Sequence, residues 1–161
     1  MPPDKVTEIV AERGSSALIK TGCFVPLPDK RSSISEAISL IGDDASVMLG
    51  GFGVSGTPFC LIRELVRRGP RNLTLIQNDA NEAGMGVDWL LENGQVAKLV
   101  TTHIGRNSTA TRMMNDGMIE VEFVPEGIMA ERIRVAGAGV MGFISGIGLG
   151  AAVAGVSSAS K

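Results

Sequence analysis

The residues best suited to chemistry lie in a glycine-rich turn and in a short polar run downstream of it. Gly50, Gly51, Phe52, Gly53, Val54, Ser55 and Gly56 place four glycines in seven residues, so main-chain N–H groups can approach a ligand with no Cβ in the way. Such a turn suits an anionic or carbonyl oxygen. The polar run is Gln77, Asn78 and Asp79, followed by Asn81; Asn78 and Asn81 are the amides expected to reach the same ligand. The plainer alternative is a tight strand-to-helix turn with nothing bound. A dinucleotide-binding fingerprint can also be read here, because Gly51, Gly53 and Gly56 have the G-x-G-x-x-G spacing and Asp79 follows where a ribose-binding acid would stand. No residue elsewhere offers a partner for hydride chemistry.

Other reactive side chains are sparse. The chain has two cysteines, Cys23 and Cys60, and a single histidine, His103, too few and too scattered for a disulfide framework or a metal site. A reducing cytoplasm is the expected setting. With a net charge of −2, 20% charged residues and 44% hydrophobic residues, the chain has the composition of a globular protein and no electrostatic pull toward nucleic acid. Its 161 residues suit one catalytic domain, not two.

The elements that must position these residues follow from the pattern. Ser33 and Glu36 have capping-box spacing ahead of Ala37, Ile38, Leu40 and Ile41, which predicts a short helix beginning near Ser35. A buried strand over residues 46–49 leads into the glycine turn. Thr57 is the expected N-cap of the next helix, with Pro58 in its first turn and Leu61, Ile62, Leu65 and Val66 on one face; Gly69 and Pro70 end it. Strands are expected over residues 72–77, 97–102 and 119–124, and helices over 85–92, 109–115 and 127–134. This βαβ rhythm predicts an α/β fold of three layers, a mostly parallel open sheet with helices on both faces. In such sheets ligands sit beyond the carboxyl ends of the strands, where the glycine turn and the polar run both fall.

The two ends read differently from the middle. Residues 1–33, with Asp4, Glu8 and Glu12, are expected to be a weakly structured leader, not a signal peptide. Residues 34–150 form the domain and residues 151–161 a tail. From Val135 to Ser160 there is no charge, a length that reaches that of a membrane span. The density of glycine there favours a buried loop instead.

Several stretches closely resemble family I CoA-transferase alpha subunits. The likeness covers residues 34–150 and is carried by Asp43-Asp-Ala-Ser-Val-Met-Leu-Gly-Gly-Phe-Gly-Val-Ser-Gly-Thr-Pro58, by residues 73–79, by Thr102-His-Ile-Gly-Arg-Asn107, by residues 121–127 and by residues 131–139. Acetate and acetoacetate CoA-transferases are the most similar members. The resemblance implies movement of CoA between an acyl-CoA and a free carboxylate, by a ping-pong route through a glutamyl-CoA thioester. It also implies a beta subunit that supplies the nucleophilic glutamate, so no catalytic residue is expected on this chain. CoA enters as substrate, and no cofactor or metal is expected. Glu92-Asn93-Gly94 echoes the beta-subunit motif Ser-Glu-Asn-Gly, yet Leu91 precedes the glutamate, which reads as an exposed helix end. His103 is expected to make a structural hydrogen bond, and Arg132 and Arg134 to complement their helix dipole more than a CoA phosphate. Ile144-Ser-Gly-Ile-Gly148 stands where the family usually carries a Thr-Pro-Thr-Gly-like loop. The strands and helix that follow in the family are not in this sequence, so a sheet edge and an apolar face are expected to lie open. A nucleotide-binding domain and a non-catalytic interaction module are the alternatives.

Overall fold

The computed structural model describes residues 31–150. The leader therefore lies almost wholly, and the tail wholly, outside the described residues. Within the unit that begins at Ser32, five helices and four strands alternate: α1 (Ile34–Ser39), β1 (Ser46–Met48), α2 (Phe59–Arg68), β2 (Leu73–Ile76), α3 (Val87–Glu92), β3 (Val96–Thr101), α4 (Ser108–Asn115), β4 (Glu120–Phe123) and α5 (Glu126–Gly137). The strands pair in the order β1-β2-β3-β4, all parallel.

Sequential parallel strands joined by right-handed crossovers put their connecting helices on one face. Helices α1 to α4 accordingly form a row, each packed on the next. Under them lies the core, in which Leu73, Leu75, Leu99, Ile62, Leu65, Leu90 and Leu91 are sealed from solvent. Strand residues one step along point the other way. Met48, Ile76, Val100 and Glu122 share register across the sheet and face only α5, with Met129, Arg132, Ile133 and Ala136 completing a cleft of about 240 Å³. Among the described residues, helices thus cover the two faces unequally, four against one. Met48 stays half exposed, and Val140, Met141, Ile144, Ile147 and Leu149 add further exposed apolar surface beyond α5.

The helix ends show which signals the chain obeys. Ser33 and Glu36 form the full capping box: the Ser33 hydroxyl accepts from the Glu36 N–H and the Glu36 carboxylate accepts from the Ser33 N–H at 2.9 Å. That N–H, and then the Ser33 hydroxyl, hold the Glu36 carboxyl below its usual range. Replacing Ser33 with alanine is expected to lower stability by about 1 kcal/mol, read as a shift in the urea midpoint. Because a depressed carboxyl stabilises only while ionised, the difference between the two proteins should shrink as pH falls through the carboxylate range.

At α2 the structure departs from the pattern. The N-cap is Pro58 with no side-chain bond, and Thr57 turns its hydroxyl back to the Gly53 carbonyl at 2.8 Å. Leu61 also lies on the exposed side, so Ile62 and Leu65 carry the buried face, with Val66 half buried. Gly69 ends the helix in the left-handed conformation at φ 73°, as glycine there permits. At α4 Asn107 is the cap, accepting from the Ala110 N–H at 2.7 Å. Among the described residues no helix is long and apolar enough to cross a membrane.

Candidate functional site

Three loops meet at the carboxyl end of the sheet: residues 49–58 after β1, 77–86 after β2 and 102–107 after β3. The pairing of β2 with β3 continues past the strands, through the Thr102 N–H donating to the Asn78 carbonyl and a bridge between Asp79 and His103. Asn78 and His103 are thereby fixed relative to each other.

The glycine turn is held from below by three side chains. Asp79, only 6% exposed, accepts the Gly53 N–H at 2.9 Å through one carboxylate oxygen and the Asn81 N–H at 2.8 Å through the other. The Asn81 amide nitrogen donates to the Gly53 carbonyl at 2.8 Å and to the Thr57 hydroxyl at 3.1 Å, while its oxygen accepts the Val87 N–H at 3.1 Å. Gly53 is therefore gripped at both its donor and its acceptor. Gly51 has φ 120° and Gly53 φ 61°, and the Phe52 N–H closes the turn onto the Ser55 carbonyl at 2.9 Å.

What remains outward is the tip. Phe52 and Val54 are at least half exposed, Ser55 and Gly56 are exposed, and the Val54 and Gly56 N–H groups meet no acceptor among the described residues. The turn is not sealed inside the domain. It lines neither the cleft against α5 nor a smaller one, about 150 Å³, by Arg63, Val66 and Trp89. Among the described residues the site is an open surface.

Each residue singled out from sequence has a definite place. Asn78 is half buried beside the turn; its oxygen takes a 3.2 Å contact from the Thr102 hydroxyl, and its buried amide nitrogen has no partner. Gln77 is in the same state, with its nitrogen 3.5 Å from the Gly50 carbonyl and its oxygen unmatched. Unpartnered buried polar atoms are uncommon in folded proteins, and these two sit at the strand end expected to bind. Asn81 is different, for its amide is wholly engaged in holding the turn, so it acts through the loop. Asp79 uses both oxygens to hold N–H groups of Gly53 and Asn81 and is only 6% exposed, so its carboxylate supports the turn from inside the protein. Glu92 is exposed at the end of α3. Arg132 pairs with Glu122 and Arg134 with Glu131. The Arg132 guanidinium, then the Lys98 ammonium, hold the Glu122 carboxyl below its usual range, away from the glycine turn. Among the described residues no three His, Cys, Asp or Glu side chains gather as metal ligands would.

Sequence reasoning did not foresee the roles of Thr57 and Thr102, whose hydroxyls bond across elements. One local signal was available for Asn81, since asparagine is the non-glycine residue that best tolerates its φ of 57°.

Comparison with known proteins agrees with this layout. A family model described as Coenzyme A transferase matches residues 31–158. A probable coenzyme A transferase subunit alpha of Bacillus subtilis (strain 168) is 41% identical over 120 residues, 74% of this chain and 52% of that protein. Acetate CoA-transferase subunit alpha of Escherichia coli (strain K12) is 39% identical over 124 residues, 77% of this chain and 56% of that one. An acyl-CoA transferase from E. coli O157:H7, solved as a thioester complex with CoA, superposes with TM-score 0.66 at 27% identity, over 74% of this chain and 26% of that chain. The chain spans about half the length of the two alpha subunits named here and about a quarter of the solved acyl-CoA transferase chain.

Proposed function

The chain belongs to the coenzyme A transferase family, and from that premise we propose that it works as an alpha-type subunit that moves CoA between an acyl-CoA, of the 3-oxoacyl or acetyl class, and a free carboxylate. A beta subunit supplies the attacking glutamate, and the reaction runs in the cytoplasm. The observation that carries this reading is the exposed glycine turn clamped by Asp79, Asn81 and Thr57. A rigid turn presents N–H groups at a position that does not relax when charge develops on a thioester oxygen, and such preorganised donors stabilise an oxyanion most effectively. Residues 50–56 and Asn78 form this chain's share of the CoA and acyl site, with Asn81 supporting it. The open surface leaves room for the second chain, and the sheet face left bare by α5 offers further area to cover.

Mixed with a cognate beta subunit, the protein is expected to transfer CoA from acetoacetyl-CoA to acetate, with burst formation of an enzyme-bound thioester on the beta chain. A well-formed complex with no transfer overturns the reading and leaves an interaction module. Saturable NADH binding by the unmodified protein would instead support a nucleotide-binding domain.

A further inference from the structure

The loop after β3 reaches the glycine turn through one buried amide. Asn107 and Ala80 are both sealed from solvent, and the Asn107 amide nitrogen donates to the Ala80 carbonyl at 2.9 Å. That carbonyl shares its planar peptide group with the Asn81 N–H, which donates at 2.8 Å to one carboxylate oxygen of Asp79. The other Asp79 oxygen accepts the Gly53 N–H at 2.9 Å. Three hydrogen bonds therefore run in series from Asn107 to the turn. The middle one belongs to a peptide plane that Asn107 holds by its oxygen, and tilting a planar group by its oxygen swings its N–H as well. Asn81 gives this plane a reason to move, since its φ of 57° lies in the left-handed region, which a non-glycine residue keeps only when its surroundings hold it there. Asn107 is itself fixed by α4: its amide oxygen accepts the Ala110 N–H at 2.7 Å, and its carbonyl accepts the Thr111 N–H at 3.1 Å and the Thr111 hydroxyl at 3.0 Å.

We propose that Asn107 is a positioning residue of the CoA-transfer site: from the start of α4 it orients the Ala80–Asn81 peptide, and through Asp79 it sets the direction of the Gly53 N–H and hence of the turn. Its part in the reaction rests on the CoA-transferase reading; the series of bonds does not. Other links join the same two loops, but elsewhere. Thr102 holds Asn78, at the start of the loop after β2. Arg106 pairs with Glu82, but both side chains of that pair lie at the surface, where ion pairs contribute little. Asn107 acts in the middle, between the two residues that clamp Gly53.

Asn107→Ser separates the two ends of this side chain. Serine caps a helix about as well as asparagine, but its hydroxyl ends one bond short of the position from which the amide nitrogen reaches Ala80. Asn107→Asp also keeps the cap, and it sets an acceptor against the Ala80 carbonyl where a donor stood. Hydrogen exchange on the full chain is expected to leave the Ala110 and Thr111 amides within about twofold of the unmodified protein in both variants, while the Gly53 amide exchanges roughly tenfold faster. In the complex with the beta subunit, kcat for transfer from acetoacetyl-CoA to acetate should fall roughly tenfold with the acyl-CoA KM changed by less than about twofold, because a loosened turn costs the transition state more than the bound substrate. Arg106→Ala, which removes the surface link, should leave both readouts unchanged. Unaltered Gly53 exchange in both Asn107 variants overturns the proposal, as does equal quickening in Arg106→Ala, or loss of Ala110 and Gly53 protection together, which marks general destabilisation. Normal transfer with a loosened turn overturns its role in the reaction. Should the unmodified complex transfer no CoA, the functional reading falls, and Gly53 exchange still decides whether Asn107 positions the turn.

Discussion

Gly51→Ala is expected to cost roughly 3 kcal/mol of stability and to lower CoA transfer by the reconstituted complex on the order of a hundredfold. The reason is space as well as conformation. At φ 120° an L side chain is strained, and a Cβ at this position would lie 2.7 Å from the Thr57 hydroxyl and 3.0 Å from the Thr57 Cα and nitrogen. Rotation of a side chain cannot relieve contact with backbone, so the turn itself must move. Gly53 is the informative contrast. Its φ of 61° lies in the left-handed region, but a Cβ there would meet only a carboxylate oxygen of Asp79 at 3.9 Å. Gly53→Ala should therefore cost only about 1 kcal/mol and keep much of the activity. Thermal melts of both variants, with transfer rates measured in the complex, test the pair; equal losses at the two positions would mean that the turn is not held as described.

The same turn marks the boundary between what the sequence could and could not reveal. Local signals were legible: the Ser33 and Glu36 spacing gave the first helix, Gly69 its successor's end, and four short apolar runs the parallel sheet. Each is decided by residues within a few positions of one another. Thr57 was read as a helix cap because its neighbours allow it, but the Gly53 carbonyl and the Asn81 amide compete for its hydroxyl and win through contacts that only the fold creates. Asp79 matched a ribose-binding spacing, yet the approach of Gly53 from 26 positions away uses its carboxylate inside the protein. One-sided packing was equally hidden. Ile76 and Val100 look like Leu75 and Leu99 in a hydropathy pattern, and only the sequential strand order, which places α1 to α4 on one face, decides that the first pair borders an open cleft and the second is sealed.

Asn81→Ala should be the most damaging change outside the glycines, because this one amide joins two loops to a helix. Its loss strips the Gly53 carbonyl and the Thr57 hydroxyl of a donor and leaves the Val87 N–H without an acceptor, at a site where Asn81 is only 3% exposed. An unpaired buried group costs about 1–3 kcal/mol, and alanine tolerates the left-handed backbone less well than asparagine, so a total near 3 kcal/mol is expected from urea unfolding. The neighbouring Gly86 supports the same conclusion, since a Cβ there would fall 2.2 Å from the Asn81 amide oxygen and force the side chain out of its place. Asn81→Asp separates the amide's donor role from its shape. It keeps an acceptor for Val87 but sets a second carboxylate against the Gly53 carbonyl and Asp79, whose oxygen already lies 3.5 Å from the amide nitrogen. That repulsion raises the folded-state pKa of the introduced carboxyl above its unfolded value, so the penalty is largest at neutral pH and diminishes as pH falls and the group takes up a proton. If Asn81→Asp instead matches the unmodified protein at neutral pH, the amide hydrogens are not what holds the turn, and the rigidity on which the oxyanion argument depends must come from Asp79 and Thr57.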